Sequence, residues 1–515
     1  KFKTLGIILT AIITYILFLL IYIIDLRNSK QIAFIRCRIK NYQREKDYLQ
    51  HDFSQLDCGE DFKNASHPFS LDLDIFGFHS LFQHICRTVT TDGRKILASK
   101  LQTFSNNLAE ITAYREAVKE LSAMDEWRNK FFSISEPIDT NHLLKVVQGI
   151  QFQKSGFSNP LVLLPVICSV SLFFISIVLS IFSIVSSEWP LIIFIMQIVC
   201  TLPITSRKFS RLDHQFAALH KALNDYAALI DYLQHASFRT QQNKQNYDTL
   251  FSSDINAQNA FRQLSAISGA IDRRNSFVGL LFFNGFVCND FFLIRKIERW
   301  FSTYLTYLPE WVTTIGEIDA KVSLATFRFN HPEATDAILL DNDSITYRTK
   351  GLYHPFISKD KAVPNDFEIR NNHVYIITGA NMAGKSTFLR SLGINYVLAM
   401  CGLPVFASSL EMSVFSLFSS MRTDDDLPNG ISYFNAELLR LQQLITHCNQ
   451  QSHTLIILDE ILKGTNSADK LNGSKLFLRT ISKMPISAVI ATHDLALSQL
   501  ENENSNLYSN YCFEI

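Results

Sequence analysis

The chain has 515 residues, which is enough for two to four domains with cores of their own. Lysine plus arginine equals aspartate plus glutamate at 48 each, so overall charge predicts no partner, and any nucleic-acid contact needs a local basic patch. Hydrophobic residues make up 47% of the chain and 41 residues are phenylalanine, which indicates contact with lipid as well as a hydrophobic core. The nine cysteines contain no C-x-x-C pair, which is typical of reduced cytosolic thiols rather than of a disulfide framework or a metal cluster.

The first predicted element is an uncharged run of twenty residues, 5–24, the length that a helix needs to cross the hydrocarbon core. A cleaved signal peptide is the alternative, but no small-residue cleavage site comes after the run. Seven lysines and arginines lie between 27 and 46, against two before the run, so the positive-inside rule predicts a cytoplasmic location for the chain after residue 25. We therefore expect a transmembrane anchor over 1–25 in the inner (cytoplasmic) membrane and a linker over 26–70.

A helical pattern over 71–155 predicts the first part of an all-helical core, and it is followed by a second apolar block over 160–205. This block contains uncharged runs at 161–185 and 189–204 and has basic residues at both flanks, which predicts a transmembrane hairpin and about three spans in total. Pro190 and Pro203 leave a re-entrant or tilted second arm open, and a buried soluble hairpin is the other alternative.

The second part of the predicted core, with a lever, covers 206–335. Apolar residues from Phe209 to Leu233 alternate in steps of three and four, which predicts one long helix packed on a partner helix, in the same chain or in a second copy. An ordinary bundle helix fits this spacing equally well. The apolar stretch 277–300 is interrupted by polar residues, and we interpret it as a buried soluble helix rather than a further span.

The strongest motif lies where a predicted strand at 374–377 gives way to a helix beginning near Lys385. Between them the chain matches the phosphate-binding pattern G-x-x-x-x-G-K-[ST], whose glycines let backbone N–H groups turn onto phosphate oxygens. Lys385 is predicted to reach the β- and γ-phosphates and the Ser386 hydroxyl to bind Mg²⁺, so the predicted cofactors are ATP and Mg²⁺. The predicted nucleotide-binding residues are Gly379, Ala380, Asn381, Met382, Ala383, Gly384, Lys385, Ser386 and Thr387.

Two further apolar runs end in residues suited to phosphate chemistry. Asp459 and Glu460 follow a predicted strand at 455–458, so that Asp459 would hold Mg²⁺ and Glu460 would polarise the attacking water. His493 follows a predicted strand at 488–491 and is a candidate sensor of the γ-phosphate.

From Gly351 onward the motifs resemble the ATPase of the MutS family, the DNA mismatch-repair ATPases. The resemblance covers roughly 71–140 and 210–515 and implies a helical core followed by an ATPase that works as a homodimer on DNA. It also implies that Ser432 begins a helix reaching into the partner subunit's nucleotide, so that Lys385, Ser432, Glu460 and His493 form a composite catalytic site. The segments that carry it are LYHP at 352–355, VPND at 363–366, TGANMAGKST at 378–387, CGLPVFA at 401–407, MRTDDD at 421–426, GISYF at 430–434, LIILDE at 455–460, GTNS at 464–467 and ATH at 491–493.

The sequence departs from the family in several places. Only about 70 residues precede the predicted core, no Phe-x-Glu mismatch-reading motif occurs, and the hairpin stands where DNA-gripping arms are expected. Ala362 lies where an aromatic residue often holds adenine, and the family's C-terminal dimerisation segment is absent from these residues.

The sequence thus predicts a multidomain α plus α/β protein: a helical core with inserted transmembrane helices, followed by a P-loop ATPase domain over 336–515. The first function that it predicts is a membrane-anchored, dimeric MutS-like ATPase coupled to DNA without specific mismatch recognition, with core and ATPase in the cytoplasm. The alternative is a membrane mechanochemical ATPase that acts on a protein or lipid. An ABC-type transporter subunit is disfavoured because NGISYF at 429–434 replaces the expected LSGGQ signature.

Overall fold

The structure is a computed structural model that describes residues 2–134, 138, 160–380, 382–422, 433–451, 453–463 and 467–514. Its first part is helical and its second part combines helices with two sheets, which confirms the predicted α plus α/β organisation. The helices of the first part are α1 (Phe2–Leu49), α2 (Leu81–Ile85), α3 (Thr91–Gln102), α4 (Leu108–Ser122), α5 (Asp125–Ser133), α6 (Pro160–Ile181), α7 (Glu188–Gln234), α8 (Gln241–Phe251), α9 (Ala257–Asn275), α10 (Phe277–Val287), α11 (Asn289–Tyr304) and α12 (Leu308–Asn330).

Helix α1 is longer than the sequence suggested, because it continues from the apolar run to Leu49 without a break. The structure therefore differs from the expected linker over the part 26–49. Its second half docks on the core: Glu45 pairs with the buried Arg87, and the Tyr48 hydroxyl lies 2.7 Å from His331 Nε2. Residues 26–49 contain neither proline nor glycine, so nothing local ends the helix before these contacts hold it.

The core of the helical part surrounds α12, most of whose side chains are buried against α3, α4 and α8. Asp319 on α12 accepts hydrogen bonds from the backbone N–H groups of Val89 and Thr90, and from the Thr90 hydroxyl, which ties the start of α3 to the central helix. The apolar residues predicted to pack on a partner helix lie in α7. Those whose side chains are described pack on α9 of the same chain, where the ring of Tyr226 stacks on that of Phe261 at a centroid distance of 5.3 Å. The partner helix is therefore in the same chain.

A buried histidine gives this core a pH dependence. The ring of His84 stacks on Phe356 with centroids 4.1 Å apart, and burial lowers the pKa of His84 to about 3 from an ordinary 6.5. The unfolded chain therefore takes up this proton near pH 6.5, whereas the folded chain takes it up only near pH 3. The stability that neutral His84 contributes is complete above pH 6.5 and is lost as pH falls from 6.5 towards 3.

We expect the urea concentration at the unfolding midpoint to decrease when the pH is lowered from 7.5 to 5.5. The decrease should be smaller in His84→Gln than in the original chain. At pH 5.5 this histidine accounts for about 1.4 kcal/mol of lost stability. The matched control is the exposed His235, whose replacement by glutamine should leave the pH dependence of the original chain. An identical pH dependence in His84→Gln and the original chain would contradict the assignment.

Helices α6 and α7 contain the predicted hairpin. Among the residues that the structure describes, the two stretches long and apolar enough to cross a membrane are Leu163–Ile181 and Glu188–Ser206, with a third if the bent pair α10 and α11 counts as one span. The Gln197 side chain donates to the Ser169 carbonyl at 3.0 Å and so joins the two arms. Several side chains of the apolar run 5–24 lie outside the described residues, so a span there stays a prediction.

The region 277–300 differs from the single buried helix that the sequence suggested. It forms α10 and α11, which meet at 93° because Cys288 adopts a left-handed conformation with φ 48°. Helix α10 leaves Phe277, Val278 and Phe282 exposed, whereas α11 buries Trp300 in the core. Periodicity alone could not predict this bend, since no proline or glycine stands at the junction.

The described residues of the second part of the chain form two sheets and four α-helices. A four-stranded mixed sheet has the order β1-β5-β2-β3, and a five-stranded parallel sheet has the order β6-β7-β8-β4-β9. Their elements are β1 (Ile338–Leu340), β2 (Tyr347–Leu352), β3 (Asn365–Ile369), β4 (Val374–Gly379), α13 (Lys385–Met400), β5 (Ser409–Ser413), β6 (Ser416–Ser420), α14 (Tyr433–Gln450), β7 (Thr454–Asp459), α15 (Ser467–Ile481), β8 (Ile486–Ala491), α16 (Leu500–Glu503) and β9 (Tyr508–Phe513).

Candidate functional site

The glycine-rich loop joins β4 to α13 at the carboxyl edge of the parallel sheet. Strand β4 is buried between β8 and β9, so the loop leaves the sheet at a fixed point. Gly379 has φ 148°, Met382 φ 67° and Gly384 φ 89°. At Gly379 an added Cβ would lie 2.4 Å from the Phe513 carbonyl oxygen on β9, so only glycine fits this close approach of two strands.

Lys385 and Ser386 begin α13 and turn towards the loop and the neighbouring strand. The buried Lys385 ammonium donates to the carbonyl oxygens of Gly379 and Ala380, both at 2.8 Å. The Ser386 hydroxyl donates to Asp459 Oδ2 at 2.5 Å. Positive charge and the N-terminus of α13 therefore meet at the curled loop, an arrangement that suits an anion.

Strands β7 and β8 end beside this loop and carry the acidic pair and the histidine. The Glu460 backbone N–H donates to the Ala491 carbonyl at 2.9 Å, which holds the two strand ends together. Glu460 Oε1 lies 2.6 Å from His493 Nδ1, and Glu460 has φ 57°. This left-handed turn is costly for a residue with a Cβ, and it directs the carboxylate away from the path of the strand.

Glu460 is ionised at neutral pH. Partial burial raises the pKa of its carboxyl, but the hydrogen bond and charge of His493, together with the nearby Lys463 and Lys470, outweigh burial, so the pKa lies below its usual value. Lys470 Nζ lies 3.9 Å from the second carboxylate oxygen. A carboxylate fixed by its neighbours at a strand edge is suited to accept a proton from water.

A cavity of about 540 Å³ lies beside the loop, bounded in part by predicted loop residues such as Met382 and Thr387 and otherwise by residues that our sequence-based site prediction did not include. His354 and Phe388 offer ring surfaces, and Lys361 and Cys512 lie at the walls. Burial lowers the pKa of His354 to about 4, so its ring is neutral at physiological pH and can stack on a planar group. The LYHP segment indicated His354, but only the folded chain brings Cys512 and Phe513 of β9 to the same cavity.

Some predicted site residues lie outside the described residues, and their roles stay predictions. These are Asn381 of the loop and Ser432, which was expected to act on the partner's nucleotide. The described residues that the structure brings together are the lysine and serine of α13, the acidic pair at the end of β7 and the histidine after β8. Ala380, Ala383 and Thr387 lie in or next to the same loop, and Ala362 lines the cavity.

A buried aspartate between α1 and α2 holds β6, the strand after which the chain runs towards Ser432. Asp72 accepts hydrogen bonds from the Ser419 hydroxyl at 2.9 Å and from the backbone N–H groups of Met421 and Arg422 at 2.9 and 2.8 Å. The Arg440 guanidinium on α14 lies 3.4 Å from the same carboxylate. Sequence patterns did not predict this contact, because its partners are about 350 positions apart in the chain.

We expect Asp72→Ala to destabilise the chain by about 3 kcal/mol, because it leaves the buried Arg440 without its counter-ion. Asp72→Asn keeps the acceptor oxygen and should cost less. The control is Asp74→Ala, which removes partly exposed ion pairs with Arg390 and Arg422 at a left-handed position (φ 50°) and should cost less, about 1–2 kcal/mol. Thermal unfolding of the three variants would measure these costs, and equal losses for Asp72→Ala and Asp74→Ala would contradict the ranking.

Comparison with known proteins identifies the domain that contains this site. Residues 375–515 match the family model of MutS domain V. The chain is similar to DNA mismatch repair protein MutS from Persephonella marina, at 34% identity over 37% of this chain and 22% of the relative. It is also similar to the MutS protein of Aquifex pyrophilus, at 32% identity over 44% of this chain and 26% of the relative. The MutS protein of Staphylococcus haemolyticus is 29% identical over 42% of this chain and 25% of the relative. The chain thus spans about a quarter of the length of these curated relatives.

Proposed function

We propose that the protein is a membrane-anchored ATPase that binds and hydrolyses ATP as a homodimer, because residues 375–515 match the family model of MutS domain V and the chain is similar to the MutS relatives. One observation carries the proposal: three neighbouring strand ends bring Lys385, the Ser386–Asp459 pair and the Glu460–His493 pair to one loop. This is the set of groups that phosphoryl transfer to water requires.

Each residue has a role that its contacts support. The loop N–H groups and the start of α13 bind the phosphates, and the Lys385 ammonium exchanges its two carbonyl acceptors for phosphate oxygens. Glu460 accepts a proton from the attacking water, and His493 positions that carboxylate. Ser386 and Asp459 would hold Mg²⁺, which when bound neutralises phosphate charge.

The base of the nucleotide fits the cavity beside the loop. A cavity of about 540 Å³ between β3, α13 and β9 is within the range of small-molecule sites, and neutral His354 and Phe388 supply stacking surfaces. We assign to these two rings the role of holding adenine, which in the family that the sequence resembles often belongs to an aromatic residue at the position of Ala362. The fit supports ATP as the ligand.

The dimer is proposed to share its sites, with Ser432 of one copy completing the nucleotide site of the other. Mixing two inactive variants tests this idea. In a random mixture of Lys385→Ala and Ser432→Ala, half of the dimers are mixed and each mixed dimer has one intact site out of two, so about a quarter of the original activity should return. If the mixture were no more active than the separate variants, the proposal of a shared site would be wrong.

The membrane part of the proposal is supported by the two apolar stretches in α6 and α7, whose side chains are largely exposed. We place the core and the ATPase in the cytoplasm, at the inner membrane, because basic residues flank the apolar runs on that side. Extraction of the full chain from membranes by detergent, but not by alkaline carbonate, is the expected result.

DNA is the ligand that the names of the mismatch-repair relatives suggest for this chain. The apolar hairpin between α5 and the second part of the core favours a second candidate: a mechanochemical ATPase that acts on a membrane protein or lipid, without DNA. The ATPase rate measured with matched, mismatched and branched DNA separates the two. An unchanged rate, with no DNA retention at low salt, would favour the second candidate.

A further inference from the structure

Helix α10 presents an apolar surface that the core does not cover. Its eleven residues, Phe277–Val287, carry no charge, and only Asn284 and Gly285 are buried. Phe277 is 74% exposed, Val278 75% and Phe282 52%. Transfer of such side chains from water to an apolar environment is favourable by about 1.5–3 kcal/mol each, so a surface of this kind requires a partner.

The contacts of α10 are with the middle of the hairpin. The Phe286 ring lies 5.6 Å from Phe173 and 5.2 Å from Phe194, and these two residues lie within the stretches Leu163–Ile181 and Glu188–Ser206. At Gly285 an added Cβ would lie 2.2 Å from the Phe194 ring, so glycine allows the helices to touch. Helix α10 is therefore at the level of the apolar stretches rather than beyond their ends.

The residues that flank α10 are charged and paired at the end of the second stretch. Arg274 Nε lies 3.0 Å from Asp290 Oδ2, and the Thr205 hydroxyl donates to the same oxygen at 2.8 Å. Thr205 is about eleven residues from Phe194 along α7, which is about 16 Å of helix. The residues that precede and follow α10 therefore lie near the end of the stretch Glu188–Ser206. The apolar side chains of α10 lie nearer to the middle of that stretch.

The chain beyond α10 returns to the core. After the 93° bend at Cys288, α11 buries Ile294, Ile297 and Trp300 in the main hydrophobic core. At eleven residues and about 16 Å, α10 is too short to cross a bilayer that requires about twenty. It can enter the hydrocarbon region and return, but it cannot span it.

We infer that α10 is a re-entrant membrane element whose exposed side chains contact lipid acyl chains in the leaflet nearest the ATPase. The inference rests on the proposed membrane insertion of the hairpin and extends it, since α10 was expected to be a buried soluble helix. Through Phe286, α10 packs directly on the apolar stretches of α6 and α7. The Arg274–Asp290 pair marks the level at which charged residues return. Lipid is therefore the occupant, rather than a second copy of this chain.

Three exposed valines provide a matched test. Val278 in α10 is 75% exposed, Val199 in α7 is 62% exposed, and Val363 in the ATPase domain is 78% exposed. Each is replaced by cysteine in the full chain, in which the exposed Cys168, Cys200 and Cys512 are first changed to serine. The proteins are labelled with an environment-sensitive fluorophore and reconstituted in vesicles with or without lipids spin-labelled on their acyl chains.

The expected result is that spin-labelled lipid quenches the label at Val278→Cys as much as at Val199→Cys and leaves the label at Val363→Cys unchanged. Quenching at 199 without quenching at 278 would overturn the inference and leave the membrane proposal intact; contact with a second copy would give this result. No quenching at either position would defeat the membrane proposal and the inference together. Phe282→Cys repeats the measurement at a second exposed position of α10.

Discussion

Lys385→Ala is expected to abolish ATP binding and to lower ATP turnover by at least about 10³-fold. The ammonium is buried at the base of the loop and is held only by the carbonyl oxygens of Gly379 and Ala380 at 2.8 Å, among the contacts that the structure describes. A lysine placed there without a carboxylate partner is available for a phosphate. Its loss removes the positive charge that offsets the phosphates, and a backbone loop cannot replace that charge.

The measurement is nucleotide binding by fluorescence titration, with steady-state ATP hydrolysis beside it. Lys361→Ala serves as the control, because Lys361 lines the same cavity but is exposed. It should change turnover by no more than a few-fold. If Lys385→Ala kept both its affinity and its turnover while Lys361→Ala lost them, the loop would not be the phosphate site.

Glu460→Gln is expected to keep ATP binding and to lower turnover by about 10²–10⁴-fold. Glutamine preserves the size of the side chain and an oxygen that can accept from His493, so the turn at φ 57° need not change. It cannot accept a proton from water. The variant should therefore accumulate in the ATP-bound dimer, which gel filtration with ATP would detect.

The control is Glu501→Gln, a change of the same chemistry in α16, away from the strand ends that carry the site. It should leave turnover unchanged. Glu460→Gln that hydrolyses ATP within about two-fold of the original rate would eliminate Glu460 as the base. His493→Ala should reduce turnover less than Glu460→Gln, because His493 acts by holding the carboxylate.

Much of the parallel sheet could be predicted, because its strands are short apolar runs that end at chemically distinctive residues. The loop at Gly379 and the pair Asp459–Glu460 were placed at strand ends from sequence alone, and the structure brings them together. The cavity walls could not be predicted in this way. His354 and Cys512 line the same space although they are far apart in the sequence, and this space forms only once β9 pairs with β4.

The helical part was harder to predict, because its determinants are long-range. The apolar run of α1 was clear, but the helix extends to Leu49 through contacts such as Glu45–Arg87. The bend before α11 depends on the left-handed Cys288, a residue type that gives no such signal. Asp72 stands between two leucines in the stretch SLDLDIF at 70–76, which gives no sign of its role, and only the folded chain gives it four donors.

Helix α7 runs without interruption from the apolar stretch into the core over 47 residues, which makes it about 70 Å long. Such a length amplifies rotation: a turn of about 10° at the core end sweeps the far end through an arc of about 12 Å. The coupling between the two ends of α7 also acts in the opposite direction, from the far end to the core. In the mechanochemical ATPase proposed above, a bilayer that resists this sweep would oppose the turn of α7, so the composition and tension of the lipid should alter the rate of hydrolysis.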